Sequence, residues 1–244
     1  MHNQLTFNFK TDISKISIPS KLNNPFGADI PEIAKIAAKE FQEFLALESQ
    51  GWDYDFFIRR GKMFGILVIQ QGDTYSYLGT ISGKIPNNEK CIRFVPSVFD
   101  DSAEDCFINT GMTELTEIGK TIKKTENQEE VNSLIEYRRH KSIALQQQLF
   151  ENYIFQNIEG KEKNVLQIFA NSPPSAAGEC AAPKLLNYAF KHQLKPIALA
   201  EFWWGQAENS EKEHKRFYPA CIDRCRPILE YMLDDTELFK ITTL

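Results

Sequence analysis

The feature that most constrains the fold is an almost wholly apolar run at residues 63–69, followed by a second β-rich run at 75–81. Both runs are rich in β-branched and aromatic residues, and Gln71, Gly72 and Asp73 between them are typical of a hairpin turn. A strand that lacks alternating polar residues is usually buried on both faces of its sheet. The sequence therefore predicts a hairpin whose first strand is covered on both sides by other elements.

Three further stretches predict the elements around this hairpin. Residues 1–30 are polar and interrupted by prolines, which indicates an extended, docked arm, and apolar residues at helical spacing over 31–47 predict an amphipathic helix. From 113 to 160 glycine is scarce and Glu, Lys and Gln dominate, which predicts two antiparallel helices projecting from the body. We therefore predict one α/β domain made of two parts, residues 1–112 and residues 161–244. Residues 113–160 are a helical hairpin inserted between them.

The last third of the chain alternates between strand and helix patterns. The pattern predicts a strand at 164–170, a helix at 180–193, a strand at 195–205 and a final helix that begins near 226, because Pro227 cannot lie deep inside a helix. The order β-α-β-α favours a parallel strand pair with a right-handed crossover. Together with the hairpin, it predicts a three-layer α/β fold around a mixed sheet of about four strands.

Charge and hydropathy limit the surfaces that the chain can bind. The net charge is −5, so no overall positive field attracts RNA or an anionic membrane. The RRHK segment nevertheless places Arg138, Arg139 and Lys141 together on a predicted helix, either as a solvated face or as contacts to RNA phosphates. No run of about 18 apolar residues could span a bilayer, and residues 1–15 do not resemble a signal peptide, which predicts a cytoplasmic protein without membrane partners.

Five cysteines in a chain without a recognisable export signal are expected to be thiols rather than disulfides. Cys180 opens a predicted helix, because Pro183 is acceptable only in a first turn, and Cys221 and Cys225 lie on the loop before the last helix. Helix N-termini favour thiolates, and both helices are expected at one edge of the sheet. The pattern predicts that the three thiols meet, either as ligands of zinc or as residues that merely pack in the core.

The order of these thiols is similar to that in zinc-dependent nucleobase deaminases. In those enzymes a His or Cys opens one helix, a Glu follows two residues later as the proton shuttle, and a Pro-Cys-x-x-Cys motif opens the next helix. This chain has Ala182 at the shuttle position and a Cys-x₃-Cys motif, and Glu179 is the nearest acid in the sequence. Without that Glu, ordinary deamination loses its general acid and base, so the prediction is a fold that is deaminase-like in shape but not in activity. If the chain is instead a zinc enzyme, Glu179, on the other side of the thiol, is the only candidate catalytic acid and base.

Two tryptophans and two cysteines complete the set of candidate residues. Trp203 and Trp204 follow a predicted strand, where they either stack on an RNA base or cap a core. Cys91 and Cys106 have no partner at a metal-ligand spacing. We interpret these two cysteines as packing residues.

Five blocks occur in a fixed order along the chain: GKMFGILVI with YLGTISGK, FVPSVFD, GECAAPKLLNYAF, KPIALAEFWWG and FYPACIDRCRPILEYML. Together they resemble the N-terminal extension of a bacterial group of RluA-type RNA pseudouridine synthases, over about residues 15–233. The resemblance implies a role in RNA modification, with structured ribosomal or transfer RNA, or a pseudouridine synthase catalytic domain, as the partner. That family's catalytic aspartate lies in an Arg-Leu-Asp segment of the catalytic domain, and this sequence contains no such segment.

The sequence leaves three hypotheses about function. The first is an accessory module of an RNA pseudouridine synthase system that has no isomerase activity alone and contacts RNA or the synthase through its helical hairpin. The second is a zinc enzyme that acts on a nucleobase-type substrate through Cys180, Cys221 and Cys225. The third is a structural domain without a site.

Overall fold

The computed structural model describes residues 5–48, 61–83, 93–101, 103, 105–206 and 211–234. The elements in chain order are β1 (Thr6–Asn8), α1 (Glu32–Glu48), β2 (Lys62–Gln71), β3 (Thr74–Ile81), α2 (Phe107–Lys124), α3 (Gln128–Asn152), β4 (Ile154–Gln156), β5 (Glu162–Asn164), α4 (Val165–Ile168), α5 (Ala181–Lys191), β6 (Lys195–Trp204) and α6 (Ile222–Leu233).

Four strands form one antiparallel sheet in the order β1-β3-β2-β6. The predicted hairpin of β2 and β3 is present, and Gly72 in its turn has a φ of 58°, in the left-handed region that suits glycine. Strand β2 is buried without interruption from Phe64 to Ile69, which confirms the expectation from its apolar run. Helix α1 covers one face of the sheet, and α5 and α6 cover the other, so the molecule has three layers.

Alternate residues of the strands supply two separate cores. Ile66 and Val68 of β2 pack with α1 on one face, whereas Leu67 and Ile69 pack with α5 and α6 on the other. Because strand side chains alternate between faces, a central strand that serves two cores needs apolar residues at every position. This requirement explains the apolar run from which the fold was inferred.

Strand β3 approaches α1 closely at Gly79. A Cβ atom at this position would lie 2.4 Å from ring atoms of Phe41, which is fully buried among other aromatic rings. We expect Gly79→Ala to lower the free energy of unfolding by about 1–3 kcal/mol, because the core has no room for the methyl group. Urea denaturation measures this effect.

Gly119 in α2 is the matched control for that substitution. The nearest atom to a Cβ there is Arg138 Nε at 3.6 Å, an ordinary contact distance. Gly119→Ala is expected to raise the free energy of unfolding by up to about 1 kcal/mol, because alanine favours the helix. Equal effects of the two substitutions would contradict the packing of α1 on Gly79.

The N-terminal arm is docked on the sheet, as predicted. Strand β1 pairs with β3, and beyond it the buried carboxylate of Glu40 accepts hydrogen bonds from Lys10 N at 3.0 Å and Thr11 N at 2.8 Å. Tyr77 Oη donates to the same carboxylate at 3.3 Å. Glu40 therefore binds the arm to α1 and the sheet.

The outer edge of β6 is also covered by other parts of the chain. Leu199 N donates to Asn23 Oδ1 at 2.8 Å, and Asn23 Nδ2 donates to Leu199 O at 3.1 Å. Farther along the edge, residues 215–218 form backbone hydrogen bonds with 201–203. These contacts satisfy backbone groups that an open edge strand would offer to other chains.

The predicted strand at 164–170 and its parallel pairing are wrong. Asn164 ends the short strand β5, and α4 follows immediately. Asn164 Oδ1 accepts a hydrogen bond from Gln167 N at 3.0 Å, and Gln167 Oε1 accepts one from Asn164 N at 2.9 Å. This capping box starts a helix, so β6 pairs antiparallel with β2, the sheet is antiparallel rather than mixed, and β1 is its fourth strand.

The last helix begins earlier than predicted. It starts at Ile222 and contains Pro227 in its second turn, so Cys225 lies inside the helix rather than on the preceding loop. An internal proline costs about 3 kcal/mol, whereas each fully buried apolar side chain contributes about 1.5–3 kcal/mol. The helix offsets this cost by burying one apolar face: Cys225, Ile228, Leu229, Met232 and Leu233.

Helices α2 and α3 form the predicted antiparallel hairpin. Lys141 Nζ bonds to Glu114, and Arg138 Nε donates to Leu115 O at 3.1 Å, which connects the two helices. The hairpin is largely solvated: α2 buries Leu115, and α3 buries Phe150 near its end. Within the described residues, no helix has the length and apolar character that crossing a bilayer requires.

Candidate metal centre

Three cysteines from two helix starts meet on the α5–α6 side of the sheet. Cys180 is the N-cap of α5, Cys221 is the N-cap of α6, and Cys225 follows one turn later. Cys221 Sγ lies 3.7 Å from Cys180 Sγ and 3.0 Å from Cys225 Sγ, and all three atoms lie within 4.8 Å of one another. The three sulfur atoms are therefore close enough together to hold a metal ion.

Local geometry explains how the chain brings these thiols together. Because α6 begins at Ile222, the four-residue spacing between Cys221 and Cys225 places both on one helix face. Helix α5 starts directly over β2 at Gly65, where a Cβ atom would lie 2.8 Å from Ala181 Cβ. The absence of a side chain at Gly65 thus allows the first turn of α5 to approach the sheet.

The three thiols differ in exposure and in protonation. Cys225 is buried, Cys180 is partly buried and Cys221 is exposed. Hydrogen bonds from Cys180 and Cys225 lower the pKa of Cys221, and the backbone amides of Arg224 and Cys225 act in the same direction. The hydrogen bond with Cys221, together with burial, raises the pKa of Cys180 against the opposing effect of Cys225. Hydrogen bonds with both other cysteines, together with burial, raise the pKa of Cys225. Cys221 is therefore the thiol of the group that ionises most readily.

Glu201 is an acid beside the thiols that the sequence analysis misses. It lies on β6 with 6% of its surface exposed, and its Oε1 accepts a hydrogen bond from Ala182 N at 3.1 Å. Burial raises the pKa of Glu201 to about 7; the Ala182 amide opposes this shift, and the charge of Cys221 adds to it. A single acid within the apolar strand sequence IALAEFWW is the signal that could have identified it.

Glu179, the acid proposed from the sequence, does not share the side-chain hydrogen bond to α5 that Glu201 forms. Its backbone oxygen accepts a hydrogen bond from Gly83 N at 2.8 Å, and its Oε2 is buried without a hydrogen-bond partner among the described residues. The carboxylate whose charge acts on Cys180 and Cys225 is that of Glu201. A proton-shuttle role for Glu179 stays a prediction.

Trp203 and Trp204 point to opposite faces of the sheet. Trp204 is a buried member of the core beneath α1, and its ring lies 4.5 Å from that of His214. Trp203 is half-buried: a Cβ atom at Gly61 would lie 2.5 Å from its indole, and Lys212 Nζ lies 5.1 Å from its ring centroid. Trp204 therefore caps a core, and stacking of an RNA base on Trp203 stays a prediction.

The cations of the RRHK segment have partners inside the helical hairpin. Arg138 donates to the backbone of Leu115, while Arg139 and Lys141 form ion pairs with glutamates. The hairpin as a whole, residues 107–152, carries six Lys or Arg and seven Glu residues. RNA binding at this segment stays a prediction.

The two remaining cysteines have separate positions. Cys106 is the partly buried N-cap of α2 and is not a member of the sulfur group. Cys91 lies outside the described residues, so its predicted packing role stays a prediction.

Comparisons with known proteins identify no relative of this chain. No protein-family model matches it, and the searches of curated proteins and of solved structures find no similar protein. The geometry of the sulfur group is therefore the main basis for a functional proposal.

Proposed function

We propose that Cys180, Cys221 and Cys225 bind one zinc ion and that the resulting centre catalyses hydrolytic deamination of a nucleobase-type substrate. The separation of the three sulfur atoms carries this proposal. Zn–S bonds of about 2.3 Å at tetrahedral angles place ligand sulfurs about 3.8 Å apart. The Cys180–Cys221 Sγ separation of 3.7 Å matches that value, and the Cys221–Cys225 separation of 3.0 Å would have to widen by about 0.8 Å.

The number of ligands supports a catalytic rather than a structural zinc site. Among the described residues, the group consists of three thiols without a His, Asp or Glu as a fourth ligand. Structural zinc sites usually have four protein ligands, whereas catalytic sites leave one position for water or substrate. Cys221 is exposed, so solvent reaches the group from that side.

The positions of the ligands support chemistry of the deaminase type. Zinc, when bound, would supply a Lewis acid that activates water for attack on a ring carbon. Cys180 and Cys221 cap helices whose N-terminal dipoles favour thiolates, and Cys225 completes the set from the next turn. The chain order of helix, strand and helix is that of the deaminase pattern, and the Cys-x₃-Cys spacing suits a helix that starts directly after its first cysteine.

Metal analysis followed by a substrate screen tests this function. Protein purified from zinc-supplemented medium is expected to contain one zinc ion per chain, and cobalt-substituted protein is expected to show strong sulfur-to-cobalt charge-transfer absorption. Ammonia release is then measured with cytosine, adenine and guanine as free bases, nucleosides and short single-stranded RNA. Protein without zinc would contradict the metal centre, and zinc protein inactive on all of these substrates would contradict the deaminase proposal.

We propose a second function, that of an accessory module of an RNA pseudouridine synthase system, on the strength of the α2–α3 hairpin. Met112, Ile135, Tyr137 and Ile143 are each about half exposed on it. Ile135 and Ile143 also line a groove of about 410 Å³ with Arg138 and other hairpin residues. An exposed apolar surface with balanced charge favours a protein partner, such as a pseudouridine synthase catalytic domain, over RNA.

Charged substitutions in this groove test the docking. Ile135→Asp combined with Ile143→Asp is expected to abolish association with a separately purified RluA-type catalytic domain, because a charge would be buried in the interface. Leu47→Asp is the control, since Leu47 is an exposed apolar residue on α1, outside the hairpin. Analytical ultracentrifugation measures the association, and equal binding by both variants would contradict the proposed surface.

RNA binding by the hairpin is the competing outcome. Replacing Arg138, Arg139 and Lys141 with alanine is expected to leave the salt dependence of ribosomal RNA binding unchanged in a filter assay, because these cations already have partners. A shallower salt dependence would instead assign the hairpin to RNA, because each lost phosphate contact reduces the slope by about one.

A further inference from the structure

Glu201 is a buried acid inside an otherwise apolar strand. Its neighbours Ala200 and Phe202 are buried, and within the described residues Glu201 belongs to no salt bridge. Burying an ionisable group is costly, and the charge of Lys212 offsets only part of this cost for Glu201. Residues that impose such a cost on the fold are concentrated at functional sites.

The position of Glu201 relative to α5 points to its role. Its Oε1 is held at 3.1 Å by the amide of Ala182, two residues after Cys180. Ala182 is the residue that stands where the deaminase pattern has its proton-shuttle Glu. Strand β6 therefore places the carboxyl group of Glu201 beside the first turn of α5, where Ala182 itself has no carboxyl group.

The surroundings leave the second oxygen of Glu201 available. Among the described residues, the Ala182 amide bonds to Oε1, whereas Oε2 has no hydrogen-bond partner. Gly65 lies opposite Glu201 in the sheet, and a Cβ atom there would lie 3.6 Å from Glu201 Cγ. One oxygen thus fixes the carboxyl group while the other can exchange a proton.

We propose that Glu201 is the proton-transfer residue of the Cys180–Cys221–Cys225 centre. This inference rests on the proposed function. As water attacks the ring carbon and forms a C–O bond, Glu201 accepts one water proton and passes it to the adjacent ring nitrogen. Glu201 then accepts the remaining hydroxyl proton and passes it to the amino group. The C–N bond breaks, ammonia leaves with the bonding pair, a carbonyl forms and Glu201 is again a carboxylate.

A zinc titration tests this role without a substrate. Calorimetry in buffers of different ionisation enthalpy measures the number of protons released per zinc ion bound at pH 7. Burial raises the pKa of Glu201, so part of the carboxyl groups are protonated before binding, and a nearby Zn²⁺ would ionise them. Glu201→Gln is expected to bind one zinc ion and to release fewer protons than the wild type, because glutamine keeps an acceptor for Ala182 but does not titrate.

Glu230→Gln is the matched control, because it removes an exposed acid that pairs with Arg226 on α6. It is expected to release as many protons as the wild type. With an active substrate, Glu201→Gln is expected to lower ammonia release by about 100-fold or more while retaining zinc.

The outcomes separate the two proposals. If the wild type binds no zinc, both the proposed metal centre and the proposed role of Glu201 are contradicted. If zinc binds and Glu201→Gln releases as many protons as the wild type, the zinc centre stands and the role of Glu201 is overturned. A loss of proton release in Glu179→Gln instead would assign the role to Glu179 and also overturn the inference.

Discussion

Cys221→Ala is expected to weaken zinc binding by about a thousandfold. Cys221 Sγ lies within 3.7 Å of both other sulfur atoms, and its removal leaves only two sulfur ligands. Structural zinc sites bind with about 10–16 kcal/mol, so losing one of the ligands costs about 4 kcal/mol, which is about a thousandfold in Kd. Competition with a chromogenic chelator measures the zinc affinity of each variant.

Cys106→Ala is the matched control for the loss of a thiol. Cys106 also occupies an N-cap position and is partly buried, but it does not belong to the sulfur group. Its variant is expected to keep the zinc affinity of the wild type. Because Cys221 is exposed, the zinc-free Cys221 variant is expected to unfold near the wild-type temperature, which separates a lost ligand from a lost fold. Unchanged zinc affinity in Cys221→Ala would contradict the proposed centre.

Glu201→Gln is expected to stabilise the zinc-free protein at pH 8 by up to about 3 kcal/mol. Burial raises the pKa of Glu201 from 4.5 to about 7, so the folded state holds this proton more tightly than the unfolded state. The stabilising contribution of Glu201 is therefore complete below about pH 4.5 and is lost as the pH rises through 7. Glutamine stays neutral and avoids this loss, and each pKa unit corresponds to about 1.4 kcal/mol.

Urea denaturation between pH 5 and pH 8 measures this difference. The free energies of unfolding of the wild type and Glu201→Gln are expected to diverge as the pH rises and to level off above pH 7. Glu230→Gln should follow the wild type, because its exposed ion pair is worth at most about 1 kcal/mol. A constant difference between the wild type and Glu201→Gln would show that Glu201 is ionised throughout this range. A more stable Gln variant would indicate that the acid is retained for a reason other than stability.

Features that depend on local pattern could be predicted from the sequence. The apolar run of β2 identified a strand between two layers, and Gly72 identified the turn of its hairpin. The convergence of the three thiols also followed from local signals, because Cys180 and Cys221 both precede a helix. The thiols meet even though the predicted parallel strand pairing was wrong, because α5 and α6 pack on the same face of the sheet.

Features that depend on distant contacts, or on competing local signals, could not be predicted in this way. Asn164 and Gln167 form a capping box, a local signal that the apolar residues after Asn164 concealed. The buried face of α6 overrode the helix-breaking tendency of Pro227. The lone acid in the apolar sequence of β6 marks Glu201, but its contact with α5 could not be predicted, because its partner Ala182 is 19 residues away in the chain.

On the ribosome, β2 emerges long before one of its two neighbours. It is complete at Gln71, whereas β6 begins at Lys195, and the α2–α3 hairpin is synthesised between them. Because the contacts within the α2–α3 hairpin are local, we expect it to fold early, whereas one side of the apolar strand β2 stays unpaired until β6 is synthesised. We therefore expect a nascent chain to be most prone to aggregate in this interval, before translation supplies the partner of β2.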